Sequence, residues 1–316
     1  MTALRVIFLG NDPWSVPTLE ALADAEDICV VLVITNPPRA AGRGSRLTPT
    51  SVADAARGLD LELLETDGVR SAGSDAIAEM APDALVVVAY GVILPAEVLR
   101  MPRLGAVNLH LSLLPRWRGA APVQRAILEG DDRSGVSVMM IDEGLDTGPV
   151  IATLEEPIRA EDDAGSLGRR LAELGAPLVI DSLRALGAGT VAPVHQREAG
   201  ATYAAKLAPD ERTIDWRDPA DAIERRVRAF APAPGATTTF RGAALKVLRA
   251  EASERDDVLT SAAATGEVRI GFGGAPAATA GDGWVTLLEV APSGRARMSG
   301  ADWARGARLE REERCA

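Results

Sequence analysis

Cysteine is almost missing from this chain. Cys29 lies in an apolar run and Cys315 in the tail, so neither a disulfide framework nor a thiolate metal site is expected. No stretch of 18 apolar residues occurs, which leaves no candidate for a membrane-spanning helix. Met1-Thr2-Ala3-Leu4-Arg5-Val6 runs straight into a strand pattern, and no signal peptide is expected. These absences point to the cytosol. Positive charge is also short. The net charge is −11 and the only lysines are Lys206 and Lys246, which argues against a general nucleic-acid binder. It leaves room for a local patch, because arginine offers planar, paired donors to phosphate and a few suffice. The turn after the first strand, Gly10-Asn11-Asp12-Pro13, lacks the G-x-G-x-x-G fingerprint, so NAD is not expected. His110 and His195 are the only histidines, no metal-ligand spacing surrounds them, and no metal is expected.

What the chain does have is concentrated in Ala106-Val107-Asn108-Leu109-His110-Leu111-Ser112-Leu113-Leu114-Pro115. Its first half alternates, so Val107, Leu109 and Leu111 fall on one face of a strand and Asn108, His110 and Ser112 on the other. Arg116-Trp117-Arg118-Gly119 follows as a basic-aromatic turn. Further on, Gly144-Leu145-Asp146-Thr147-Gly148 puts a carboxylate in a glycine-flanked loop. Asp146 alone reads as a turn residue; an amide donor, an imidazole and a carboxylate together suit acyl transfer by direct attack. Ser112 lacks the G-x-S-x-G elbow of a nucleophile and reads as a hydrogen bonder. His195 has no polar constellation around it.

The chain, 316 residues long, suffices for two domains. Apolar runs at 4–9, 29–35 and 84–89 alternate with helical patterns at 15–25, 52–57 and 74–80, which implies a doubly wound parallel sheet, Rossmann-like, with Asp146 and His110 both following carboxyl ends of strands. A helix at 122–129, a strand at 136–141 and a helix at 167–186 complete a domain spanning 1–189. Residues 190–206 read as a linker. From 207 to 316 one helix, 219–230, and short glycine-punctuated strands suggest a small β-barrel. Between Asn36 and Thr50 a long loop carries Arg39, Arg43 and Arg46 and no acid. Long loops inside compact domains are usually functional or disordered. Tyr90-Gly91-Val92-Ile93-Leu94-Pro95 follows a central strand, at the edge where open α/β sheets bind ligands; such residues are also common in plain cores.

Asn108-x-His110-x-Ser112-Leu-Leu-Pro115, Arg118-Gly-Ala-Ala-Pro122 and Leu145-Asp146-Thr-Gly148 resemble the motifs of the methionyl-tRNA formyltransferase family, and the resemblance runs over nearly the whole chain. The Asn-His-Asp part is common to folate-dependent formyltransferases and specifies chemistry, not acceptor. The resemblance implies a catalytic trio of Asn108, His110 and Asp146. It implies 10-formyltetrahydrofolate as donor, held by Tyr90, Gly91, Val92, Ile93, Leu94, Ser112, Leu113, Leu114 and Pro115. The acceptor would be aminoacylated initiator tRNA, met by Arg39, Arg43, Arg46, Arg116, Trp117 and Arg118 and by an OB-like C-terminal barrel. No membrane and no obligate protein partner is implied. Departures are Leu111, where a small residue is common, the Gly10–Pro13 turn, and Ala233, where an aromatic is common. Two other readings stay open: a formyltransferase for a nucleotide amino sugar or small amine, and a non-catalytic tRNA- or folate-binding module.

Overall fold

The structure is a computed structural model that describes residues 3–41, 46–70, 72–253, 263–271, 274–310 and 312–316. In chain order the elements are β1 (Leu4–Gly10), α1 (Val16–Asp24), β2 (Ile28–Thr35), β3 (Arg39–Ala41), β4 (Arg46–Thr48), α2 (Ser51–Gly58), β5 (Leu63–Glu65), α3 (Ala72–Met80), β6 (Ala84–Val88), α4 (Ala96–Leu99), β7 (Ala106–His110), β8 (Arg118–Gly119) and α5 (Pro122–Glu129). They continue as β9 (Arg133–Met140), β10 (Val150–Pro157), α6 (Ala164–Ala188), β11 (Tyr203–Ala204), α7 (Ala220–Phe230), β12 (Ala236–Phe240), β13 (Ala243–Ser253), β14 (Val268–Ile270), β15 (Pro276–Thr279), β16 (Trp284–Pro292), β17 (Met298–Ser299) and α8 (Gly300–Ala307). The chain divides into two compact units. One holds Met1–Pro122, Arg133–Pro157 and Gly168–Ala205; the other holds Val123–Asp132, Ile158–Leu167 and Lys206–Ala316.

The first unit is built on a seven-stranded sheet in the order β10-β9-β7-β6-β1-β2-β5. β7, β6, β1, β2 and β5 are parallel. Every residue of β6 is buried, which is why its sequence, Ala-Leu-Val-Val-Val, shows no polar alternation. β9 runs antiparallel to β7, and β10 antiparallel to β9. That edge corrects one expectation. Because β9 is reversed, its carboxyl end at Met140 lies opposite Val107, at the start of β7, while His110 lies opposite Ser137. The loop carrying Asp146 therefore leaves from the wrong end and has to return toward His110. The arginine loop between residues 36 and 50 contains a two-stranded antiparallel hairpin, with Arg39 opposite Thr48 and Ala41 opposite Arg46. Its tip, with Arg43, lies outside the described residues.

Of residues 190–206, read above as a linker, 190–205 belong to the first unit. β11 pairs in parallel with β8. The second unit carries an antiparallel sheet, β12-β13-β16-β15-β14, with β17 on β16. Its core gathers Trp216, Ile223, Val227, Val247, Val285, Leu287 and Trp303. The tail brings the two edge strands together. Thr239, in β12, exchanges backbone hydrogen bonds with Ala316, Cys315 N donates to Gly266 O, and Val268 N, in β14, donates to Glu313 O. This gives the C-terminal half the barrel-like character expected of it. β15 and α8 had no expectation in the sequence; Pro-Ala-Ala-Thr lacks the β-branched and aromatic residues that mark strands.

Candidate functional site

β7 and the turn after it build the centre of the site. Asn108 and His110 are two apart on the strand and so share a face. His110 is buried, with Nε2 2.8 Å from the carbonyl oxygen of Trp117. A carbonyl only accepts, so Nε2 carries a proton and donates it there. Nδ1 is then the ring nitrogen left for chemistry, and it faces Asp146 Oδ2 at 3.7 Å. The same Asp146 oxygen accepts from the Gly119 backbone N–H at 2.7 Å. Asn108 is half-buried, and its amide has no hydrogen-bond partner among the described residues. The imidazole and the carboxylate come together, and Asn108 stands on the same strand face as His110.

The turn that supplies the Trp117 carbonyl is heavily constrained. Ser137 Oγ accepts from Leu114 N at 3.0 Å and donates to Ser112 O at 2.7 Å. Ser112 Oγ donates to Arg116 O at 2.7 Å, and Trp117 N donates to Thr202 Oγ1 at 2.9 Å. Trp117 has φ 62°, Gly119 has φ 114° and Asp146 has φ 53°. For a non-glycine residue the left-handed region costs about 1–2 kcal/mol, so the surrounding contacts have to impose it. At Gly119 a Cβ would stand 2.8 Å from Ala204 O, which only glycine avoids.

The remaining expected site residues fall in three groups. Tyr90, Gly91, Val92, Ile93 and Leu94 follow β6 as proposed. Tyr90 is buried with its hydroxyl unpartnered, and burial pushes that hydroxyl up to about 12. Ile93 is 92% exposed and Leu94 buried, so this loop mixes core with open apolar surface. Leu113, Leu114 and Pro115 are half-buried, whereas Ser112 is fully buried with its hydroxyl engaged in the turn. Ser112 is thus a brace inside the fold, which corrects its expected role at a ligand.

Among the expected tRNA contacts, Arg39 is exposed and lies 3.6 Å from Asp67, a pair of little strength in water. Arg46 is in β4. Arg116 holds its guanidinium 4.4 Å over the Trp117 ring. Two assignments are corrected here. Trp117 is 8% exposed, so its ring is not a free platform for a base. Arg118 is 1% exposed, bonded through Nε to Gln196 Oε1 at 3.0 Å and to Glu198 at 3.3 Å, so it is an internal cation. Both were misread because an Arg-Trp-Arg run looks like a surface patch when the segment covering it is 80 residues away.

Three contributors had no signal in the sequence. Gln196 donates to the carbonyl oxygens of Asp146 and Gly148 at 2.9 and 2.8 Å. Thr202 braces Trp117. Asn11, in the unusual first turn, donates to Tyr90 O and accepts from Thr35 Oγ1 at 2.9 Å and Asn36 N at 2.8 Å, tying the ends of β1, β2 and β6. Among the described residues no group of three or more His, Cys, Asp or Glu is placed to hold a metal ion.

The formyl transferase family matches residues 4–183, and the formyl transferase C-terminal domain matches residues 206–308. Methionyl-tRNA formyltransferase of Halorhodospira halophila is 45% identical over 309 residues, 97% of each chain. That of Frankia alni is 43% identical over 313 residues, 97% of this chain and 92% of the relative. Among solved structures, methionyl-tRNA formyltransferase from Clostridium thermocellum superposes with a TM-score of 0.58 at 16% identity, over 78% of this chain and 93% of that one. HypX from Aquifex aeolicus, in complex with tetrahydrofolic acid, superposes with a TM-score of 0.66 at 18% identity over 96% of this chain, which spans 47% of that longer protein. At such identities the structures speak for the fold, and the sequences speak for kinship: the chain belongs to the formyl transferase family, among the methionyl-tRNA formyltransferases.

Proposed function

We propose that this protein transfers the formyl group of 10-formyltetrahydrofolate to the amino group of methionyl initiator tRNA, in the cytosol where translation begins. The observation that carries the chemistry is His110, its Nε2 tied to a carbonyl and its Nδ1 beside the Asp146 carboxylate, on the strand face it shares with Asn108. The donor fits on two grounds: a half-buried amide without a partner on β7, and a loop with an orphaned buried hydroxyl and an exposed isoleucine after β6. When bound, it supplies a formyl carbon as electrophile. As a neutral amine attacks that carbon, its oxygen gains negative charge, and Asn108 Nδ2 and a protonated His110 Nδ1 are donors for it. Asp146 stabilises the doubly protonated ring and can take up the proton the amine releases; the bond between the formyl carbon and N10 of the donor would then break, with that proton passing to N10 as tetrahydrofolate leaves. A fixed donor pair in a half-buried cleft needs little reorganisation as charge develops.

For the acceptor, the β3–β4 hairpin with Arg39, Arg43 and Arg46 is the proposed contact, joined by Arg116. Arg39's exposed partner Asp67 is weak enough to yield to phosphate. The decisive experiment is transfer of labelled formyl from 10-formyltetrahydrofolate to charged initiator tRNA, with free methionine and a nucleotide amino sugar as controls. Label appearing on the charged tRNA alone is expected. Label on the amino sugar and none on tRNA would replace this reading with that of a sugar enzyme.

A further inference from the structure

The stretch from 190 to 205 is drawn along the catalytic constellation. It starts on the sheet, where Val194 exchanges both backbone hydrogen bonds with Val150 of β10 at 2.8 Å. Two residues later Gln196 extends its amide across the Asp146 loop. Nε2 donates to the carbonyls of Asp146 and Gly148, and Oε1 accepts from Arg118 Nε. Further on, Thr202 accepts from Trp117 N through its hydroxyl and from Arg118 N, at 2.9 Å, through its carbonyl. Ala204 O accepts from Ala120 N at 2.8 Å. One segment thus bonds the backbone of both residues that partner His110: Trp117, whose carbonyl accepts from Nε2, and Asp146, whose carboxylate faces Nδ1.

Gln196 is engaged at both of its polar atoms, Nε2 on the Asp146 loop and Oε1 on Arg118. Besides the Gly119 N–H on its Oδ2, Asp146 needs a hold on its backbone. Its loop returns from the start of β7, its backbone is left-handed, and its 3.7 Å distance to Nδ1 is too long for a hydrogen bond of its own to keep it in place. Two amide hydrogens on two carbonyls of that loop fix the backbone. The buried Arg118 guanidinium in turn fixes the amide's orientation, since only Oε1 can face it.

We propose that Gln196 is a positioning residue: it sets the place of Asp146 against His110 Nδ1, with Arg118 as its anchor, so that the segment between the two family domains is part of the catalytic apparatus. The inference rests on the reading of Asn108, His110 and Asp146 given above. It predicts more than stability. Carboxylate placement at this range acts on rate, and a misplacement of about 1 Å can lower turnover by about 10²-fold.

The test uses the full chain with Gln196→Met, which keeps the volume and removes both polar ends, and Gln196→Glu, which sets a carboxylate against two carbonyl oxygens. Because His110 and His195 are the only histidines, their ring signals can be followed separately by NMR through pH, and His195→Gln assigns them. The expected result is that Gln196→Met moves the His110 titration toward that of Asp146→Asn, that Gln196→Glu, which adds a negative charge at the Asp146 loop, moves it away from the parent's as well, and that both lower kcat about tenfold or more with KM for donor and tRNA within about twofold. A His110 titration identical to the parent in both folded variants overturns the proposal, whatever the rates. Failure of the parent protein to formylate tRNA would instead count against the proposed function, because the titration needs no substrate.

Discussion

At the scale of single residues, the proposed site rests on three side chains and the backbone groups that aim them. Replacing Asn108, His110 or Asp146 with alanine is expected to lower kcat by about 10²-fold or more, the size of losing one oxyanion donor, with melting temperatures near that of the parent. Near-parental turnover in His110→Ala would sink the mechanism. The cysteines make a separate prediction. Burial pushes the Cys315 thiol up to about 12, whereas Cys29 is exposed. One equivalent of thiol should therefore react with a disulfide reagent at pH 8 in the native protein, and two after unfolding. The sign follows from linkage: a thiol held neutral in the fold gives up stability only as pH rises from the ordinary thiol value toward 12. Two reactive thiols in the native state would show the tail detached from β12. Asn108 and His110 were legible because a strand's alternation is written in neighbouring residues. Asp146 became legible only in company with Asn108 and His110, and Gln196 and Thr202 not at all, since their contacts join residues 50 and 85 positions apart.

Elements were easier to read than their directions. β1, β2 and β6 announced themselves as apolar runs because helices cover both faces of a parallel sheet. β9 was placed along the chain correctly and pointed the wrong way, because an apolar pattern has no direction. Only Asp146's return toward His110 exposes the difference. The arginine loop likewise contains a hairpin, β3–β4, that three-residue strands between prolines and glycines do not advertise. That hairpin carries the prediction for this scale. Converting Arg39, Arg43 and Arg46 to glutamine together should weaken use of charged tRNA strongly and reduce its salt dependence by up to about three phosphate contacts. Folate affinity, measured by fluorescence quenching, should change little. A triple variant with full activity on charged tRNA and an unchanged salt slope would make the hairpin a spacer.

For the whole molecule, many of the acids are paired with arginines among the described residues. Glu211 is held below the usual carboxylate range by hydrogen bonds from Arg125, Glu313 by Arg241, and Asp215, down to about 2, by Arg217. Depressed folded values mean that the unfolded chain binds more protons in acid. Their contribution is fully present above the ordinary value near 4 and is lost as pH falls through the folded values. Melting temperature should therefore stay level from pH 8 to about 5 and fall steadily from there to pH 3; a level curve down to pH 3 would refute the linkage. The two-part plan was legible from composition, because long helices and apolar strands give way to short glycine-spaced ones. The placement of 123–132 and 158–167 with the C-terminal half was not, since compactness is a property of distant neighbours.

The strap from Val194 to Ala204 also sets an order of assembly during synthesis. Chains emerge from the ribosome N-terminus first, so Trp117 and Asp146 appear well before the residues that hold them. A nascent chain paused at Gly189 has Asn108, His110 and Asp146 in hand and none of the bonds from Gln196, Thr202 or Ala204. Competence thus arrives with the last stretch of the first unit to be translated, and a gene fragment meant to encode that unit has to run past Ala204.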